Sequence, residues 1–159
     1  DDLAVEKILR ITAGQPYFIQ YICHELVNLA RRERRNFVTL RDVDRALQST
    51  VQETTGIIRN SYMSLSLEQQ MCLTSLAHIT DDGRPFATMG DIAETLRQDH
   101  VTIDPRAQSE ALRQLVERDF LVERGDEARG RQYGFAMDLV RVWIEQNNEY
   151  ARLLEELSQ

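Results

Sequence analysis

The sequence predicts a mainly α chain. A small helical bundle over residues 1–63 is followed, over residues 64–159, by a helix-turn-helix domain with a short β-hairpin wing and a long C-terminal helix. Three observations predict it. Apolar residues recur at three- and four-residue spacing through most of the chain. A Gly-x-Pro corner, Gly14-Gln15-Pro16, joins the first two of these stripes. From Ser66 onward the order is helix, helix, helix, strand, glycine-bearing polar hairpin, strand, which is the order of a winged helix.

Ala4, Ile8 and Ile11 share one face of a helix over residues 3–12. Gly14 closes it, because glycine takes the left-handed conformation without a Cβ penalty. Pro16 opens the next helix, where its missing N–H costs nothing. Phe18, Ile22, Leu26 and Leu29 form its stripe, which Ile19 and Cys23 widen. That helix ends in Arg31-Arg32-Glu33-Arg34-Arg35, read either as a solvated helix end suited to the helix dipole or as a phosphate or partner contact. Thr39, with Asp42 three residues on, starts a third helix with Leu40, Val43 and Leu47 inward. Val51, Ile57, Ile58 and Tyr62 suggest a fourth, which Thr54-Thr55-Gly56 weakens.

Ser66-Leu67-Glu68-Gln69 is a capping box before a helix with Met71, Cys72, Leu76 and Ala77 inward. Asp81-Asp82-Gly83-Arg84-Pro85 is a turn, and Phe86-Ala87 a minimal strand. Thr88–Leu96 has the T-x-x-D-I-A-x-x-L pattern of the second helix in helix-turn-helix proteins. Pro105 opens the third helix, with Ala107, Ala111, Leu112, Leu115 and Val116 inward. Residues 120–122 and 133–135 read as strands around a polar wing, residues 123–131. Leu139, Val142, Trp143, Tyr150, Leu153, Leu154 and Leu157 line a final helix over residues 138–157, with Trp143 packed on the wing strands.

At 42% hydrophobic and 28% charged, the 159 residues can bury a core. No apolar run approaches the roughly 18–20 residues of a membrane span, so no membrane partner is expected. The chain opens Asp1-Asp2 without Met, which predicts a piece cut from a longer protein. Cys23 and Cys72 read as two buried reduced thiols, which predicts a cytoplasmic home. His24, His78 and His100 are scattered, so no metal site is expected. Residues 1–60 hold nine basic and eight acidic side chains, a net of +1; residues 61–159 hold ten and eighteen, a net of −8. Such a field repels phosphate, so DNA is not expected as a partner.

Thr12-Ala13-Gly14-Gln15-Pro16-Tyr17-Phe18-Ile19-Gln20 resembles the lid of P-loop ATPases of the STAND and AAA+ type, where T-G-G-x-P-Y-x-x-Q follows the nucleotide-binding core. Here Ala13 replaces one glycine. Ala111–Leu121 has the A-L-x-x-L-V-x-R-x-F-L pattern of a winged helix. Tyr133–Ile144 is similar to the Y-x-F-x-H-x-L-x-R-x-W-[IL] ending that follows winged helices in STAND ATPases, with Met137 and Asp138 departing from it. The order, lid then winged helix, covers nearly the whole chain. The resemblance implies that Gly14, Gln15 and Pro16 lie against the adenine of a nucleotide held mostly by a core outside this sequence. It implies ATP or ADP with Mg in the parent protein, with no cofactor held by this segment. The parent's nucleotide-binding core, and other proteins, are the implied partners.

A P-loop needs G-x-x-x-x-G-K-[ST], and the single lysine, Lys7, follows no glycine. No Ser-His-Asp or Cys-His elbow appears. The segment is therefore expected to be non-enzymatic, with no catalytic residue, within a parent that is an ATPase. Three readings follow. The first is a regulatory segment of a STAND-type signalling ATPase that couples nucleotide state to conformation. The second is the DNA-binding winged helix of an origin-recognition-like AAA+ protein, using Arg106, Arg113, Arg124, Arg129 and Arg131. The third is a protein-binding adaptor.

Overall fold

Three reciprocal capping boxes fix where helices begin. The Thr39 side chain accepts the backbone N–H of Asp42 while the Asp42 carboxylate accepts that of Thr39. Ser66 with Gln69, and Thr88 with Asp91, do the same. Each box satisfies N–H groups that a helix start leaves without an intrahelical partner.

The computed structural model describes residues 2–158, apart from the side chain of Asp126. In chain order the elements are α1 (Asp2–Thr12), α2 (Pro16–Arg32), α3 (Leu40–Met63), α4 (Leu67–Ile79), β1 (Ala87–Thr88), α5 (Met89–Gln98), α6 (Pro105–Glu117), β2 (Leu121–Asp126), β3 (Gly130–Phe135), α7 (Asp138–Gln146) and α8 (Glu149–Leu157). The strands make one antiparallel sheet in the order β1-β3-β2, with Ala87 opposite Tyr133 and Leu121 opposite Phe135. The fold is thus a helical bundle, α1–α3, followed by a winged helix, α4–β3, and two closing helices.

Several details differ from the sequence expectation. Residues 40–63 form one helix. The Thr50, Thr54 and Thr55 hydroxyls donate back to the carbonyls of Ala46, Thr50 and Val51, which satisfies them within the helix. Gly56 lies on the solvent side, where it meets nothing. The single long C-terminal helix is two nine-residue helices, because Asn148 takes a left-handed conformation (φ 55°) that asparagine tolerates. The break lets α8 fold back onto α4, where Leu153 is buried. The wing is mostly strand rather than loop, with pairing that runs out to Asp126 opposite Gly130. Leu40 opens α3 and is exposed. Cys23 lies outside the α2 stripe and is also exposed, so only Cys72 is a buried thiol; burial, reinforced by Glu68, pushes it up to about 12.

Trp143 has a partner that the sequence does not suggest. It is 1% exposed and shares the core with Tyr133 of the wing, and its ring lies 5.4 Å from that of Tyr62, near the end of α3. The helix that carries it, α7, packs against α1, α3 and α4. The expected boundary after residue 63 falls at the α3–α4 junction, and α7 packs against elements on both sides of it.

The α2–α3 elbow is held by a network around Asp42, which is 4% exposed. Arg35 donates to both its oxygens at 3.0 and 2.8 Å, and the Thr39 backbone N–H and hydroxyl donate at 2.9 and 2.8 Å. The Arg35 guanidinium first, and the Thr39 donors second, hold the Asp42 carboxyl well below its ordinary 3.8. A carboxyl depressed in the fold stabilises it above the ordinary pKa and loses that contribution as pH falls below it. Asp42→Asn is therefore expected to lower the urea midpoint at pH 7. Its deficit against the wild type should shrink as pH drops below about 4. A deficit independent of pH would contradict this.

Candidate functional site

The Gly14-Gln15-Pro16 corner is built by two consecutive left-handed residues, Ala13 (φ 50°) and Gly14 (φ 73°). The Gly14 N–H donates to the Thr12 hydroxyl at 3.3 Å and the Gln15 N–H to the Thr12 carbonyl at 3.0 Å. A Cβ on Gly14 would meet nothing within 4 Å, so this position needs glycine for its φ and not for space. Gln15 is extended and caps α2, while Pro16 occupies its first turn. All three residues are exposed. Gln15 also edges an open groove of about 310 Å³ between bundle and winged helix, floored by Phe18, Phe120, Met137 and Val140.

The winged-helix arginines are placed separately rather than as one cluster. Arg106 stands exposed on the first turn of α6, behind the Asp104 cap, with no ion-pair partner among the described residues. Arg113 is gripped by two carboxylates of its own helix, Glu110 at 2.5 Å and Glu117. That pairing holds the Glu110 carboxyl below its usual range. Arg124 stacks over the Phe86 ring at 3.8 Å and donates to Gln132 at 2.9 Å. Arg131 faces Glu123 at 3.7 Å. Arg129, in the wing turn, shares an open hollow with Arg84, Thr88 and Asp91 at the start of α5, where Arg84 reaches Asp91 at 3.0 Å.

Sequence reasoning left two cations without a role. Arg84 joins the wing tip from a turn read only as a connector. Arg118 caps α6, donates to Ser64 at 2.9 Å and lies 5.5 Å from the Phe120 ring, tying α6 to the α3–α4 junction. Tertiary proximity across 54 residues leaves no local signal. Among the described residues, no group of three or more His, Cys, Asp or Glu side chains could hold a metal ion. No described helix is long and apolar enough to cross a membrane.

No family model and no curated protein matches the chain. Solved structures similar to it include the following two. Cdc6p from Pyrobaculum aerophilum has 15% identity and a TM-score of 0.43 over 89% of this chain and 36% of its own. Drosophila ORC bound to DNA has 14% identity and a TM-score of 0.42 over 89% of this chain and 38% of its own. The chain thus spans little more than a third of either. Neither of the two singles out the STAND type. The expectation that DNA is not a partner is corrected here, since the second of these similar structures is bound to DNA.

Proposed function

We propose that this chain is the lid and winged-helix segment of an AAA+ ATPase of the origin-recognition kind, and that its winged helix docks on duplex DNA. The observation that carries the reading is the union of two parts in one chain. An exposed Gly14-Gln15-Pro16 corner is joined, through α3 and α7, to a winged helix whose α6 and wing stay open to solvent. Arg106, exposed and without an ion-pair partner among the described residues, offers a cation for phosphate at the start of α6, the element that enters the major groove in this class of fold, and Arg84 and Arg129 line an open hollow beside the wing. The DNA-bound state of a similar structure accords with the reading.

The segment has no catalysis of its own in this account. Phosphate and Mg would be held by the parent's core, and the corner would close over the base. Calorimetric titration with ATP·Mg is expected to give a dissociation constant weaker than about 10 µM; a tighter one, about −7 kcal/mol or better, would overturn that part. For DNA, fluorescence anisotropy with a 20–30 base-pair duplex at about 50 mM salt is expected to give a dissociation constant below about 1 µM, weakening steeply as salt rises. Binding no tighter than about 100 µM, the weak end of non-specific affinity, would refute it.

A STAND-type signalling ATPase is the second reading. One observation favours it: Arg113 and Arg131 are already paired with carboxylates, which suits a winged helix packed on protein.

A further inference from the structure

The α2–α3 elbow is a cationic surface on the opposite part of the chain from the wing. Residues 31–45 carry six arginines against three acidic residues. Two of the six, Arg35 and Arg45, are used internally by Glu33 and Asp42. The other four, Arg31, Arg32, Arg34 and Arg41, are exposed, and none has an ion-pair partner among the described residues. Helix electrostatics explain only half of them. Arg31 and Arg32 sit in the last turn of α2, where the dipole favours cations. Arg34 lies beyond that helix in a left-handed conformation, φ 53°, which a non-glycine residue adopts at a cost. Arg41 sits in the first turn of α3, the end of a helix that disfavours positive charge. A chain with a net charge of −7 leaves these four uncompensated.

The elbow is also rigid. The Arg35–Asp42 pair and the Thr39 capping box lock it, and Arg35 lies 5.2 Å from the ring of Phe37, which is 58% exposed. Guanidinium forks pair bidentately with phosphate. The exposed Phe37 ring at the same elbow suits DNA, whose grooves take apolar side chains beside the phosphates. We infer that the α2–α3 elbow is a second DNA-backbone contact, and that Arg31, Arg32, Arg34 and Arg41 supply most of the phosphate neutralisation. The inference rests on the DNA reading above and deepens it. The 24 residues of α3 place the elbow about 36 Å from the start of the winged helix, so the two surfaces can be tested apart.

The test is the salt dependence of duplex binding for the wild-type chain, an elbow variant (R31Q/R32Q/R34Q/R41Q) and a winged-helix variant (R106Q/R113Q/R129Q/R131Q). Among the described residues the four elbow arginines make no side-chain hydrogen bond or ion pair, and circular dichroism of each variant checks the fold. Each phosphate contact contributes about 0.9 to the slope of log K against log salt. The elbow variant is expected to lose about three to four from that slope and at least tenfold in affinity at about 50 mM salt. The winged-helix variant should lose about one. A slope that survives in the elbow variant and collapses in the winged-helix variant would overturn the inference and leave the DNA reading intact. No binding by the wild type would sink both. Wild-type capture of a poly-glutamate peptide, with no DNA binding, would assign the elbow to an acidic protein instead.

Discussion

Trp143→Ala is expected to destabilise the chain by about 3–5 kcal/mol, the usual cost of deleting a buried aromatic ring. The reason lies in where the ring sits. Trp143 is 1% exposed and Tyr62, its aromatic partner, 3% exposed, so the contact spans the bundle and the helices that close the winged helix. Removing it opens a cavity where α7 meets α3. Denaturant unfolding followed by circular dichroism measures the loss. A second substitution separates packing from hydrogen bonding. The buried Trp143 Nε1 has no hydrogen-bond partner among the described residues. Trp143→Phe keeps an aromatic ring against Tyr62 and removes that orphan donor, so it should cost less than half as much as alanine. Equal losses for the two variants, or a loss under about 1 kcal/mol for alanine, would contradict the placement of the ring.

Gly134→Ala is expected to cost about 2–3 kcal/mol, through overpacking rather than a cavity. Gly134 pairs with Val122 in the middle of β3. A Cβ there would lie 2.7 Å from the Pro85 carbonyl oxygen and 2.9 Å from Phe86 Cδ1 and Cε1. The oxygen belongs to the backbone that leads into β1, so relief would require the strand to move. The Phe86 ring is itself covered by the Arg124 guanidinium at 3.8 Å. The substitution should therefore loosen the wing as well as the sheet. The fluorescence of the single tryptophan reports unfolding directly. A variant as stable as the wild type would show that the β1 edge yields freely.

How much of this was legible in the sequence depended on whether the determining contacts were local. The capping boxes at Thr39 and Ser66 and the Gly14-Gln15-Pro16 corner are local, and each stands where the residues predict it. The α3 helix was harder to read, because Thr54-Thr55-Gly56 resembles a breaker until the threonine hydroxyls are seen to bond within the helix. Asn148 broke the last helix through a single left-handed residue that periodicity does not register. The partner of Trp143 comes from a residue 81 positions earlier, a contact that no spacing rule supplies. The candidate arginines show the same limit. Arg113 was visible as a cation on α6, but its capture by Glu110 and Glu117 depends on side-chain geometry. At the elbow, Arg31-Arg32-Glu33-Arg34-Arg35 admitted two readings in sequence. The contacts separate Arg35, which is used internally, from its exposed neighbours.

The central claim, that this chain meets duplex DNA, is tested most directly by amide NMR on the 15N-labelled chain during titration with duplex. At 18.5 kDa the chain is small enough for resolved spectra. The account predicts shifts concentrated at residues 31–41, along the exposed face of α6 and at the wing. The buried joint of Tyr62 and Trp143 should stay in place. Spectra unchanged at excess duplex, or shifts confined to α1 and α8, would contradict it.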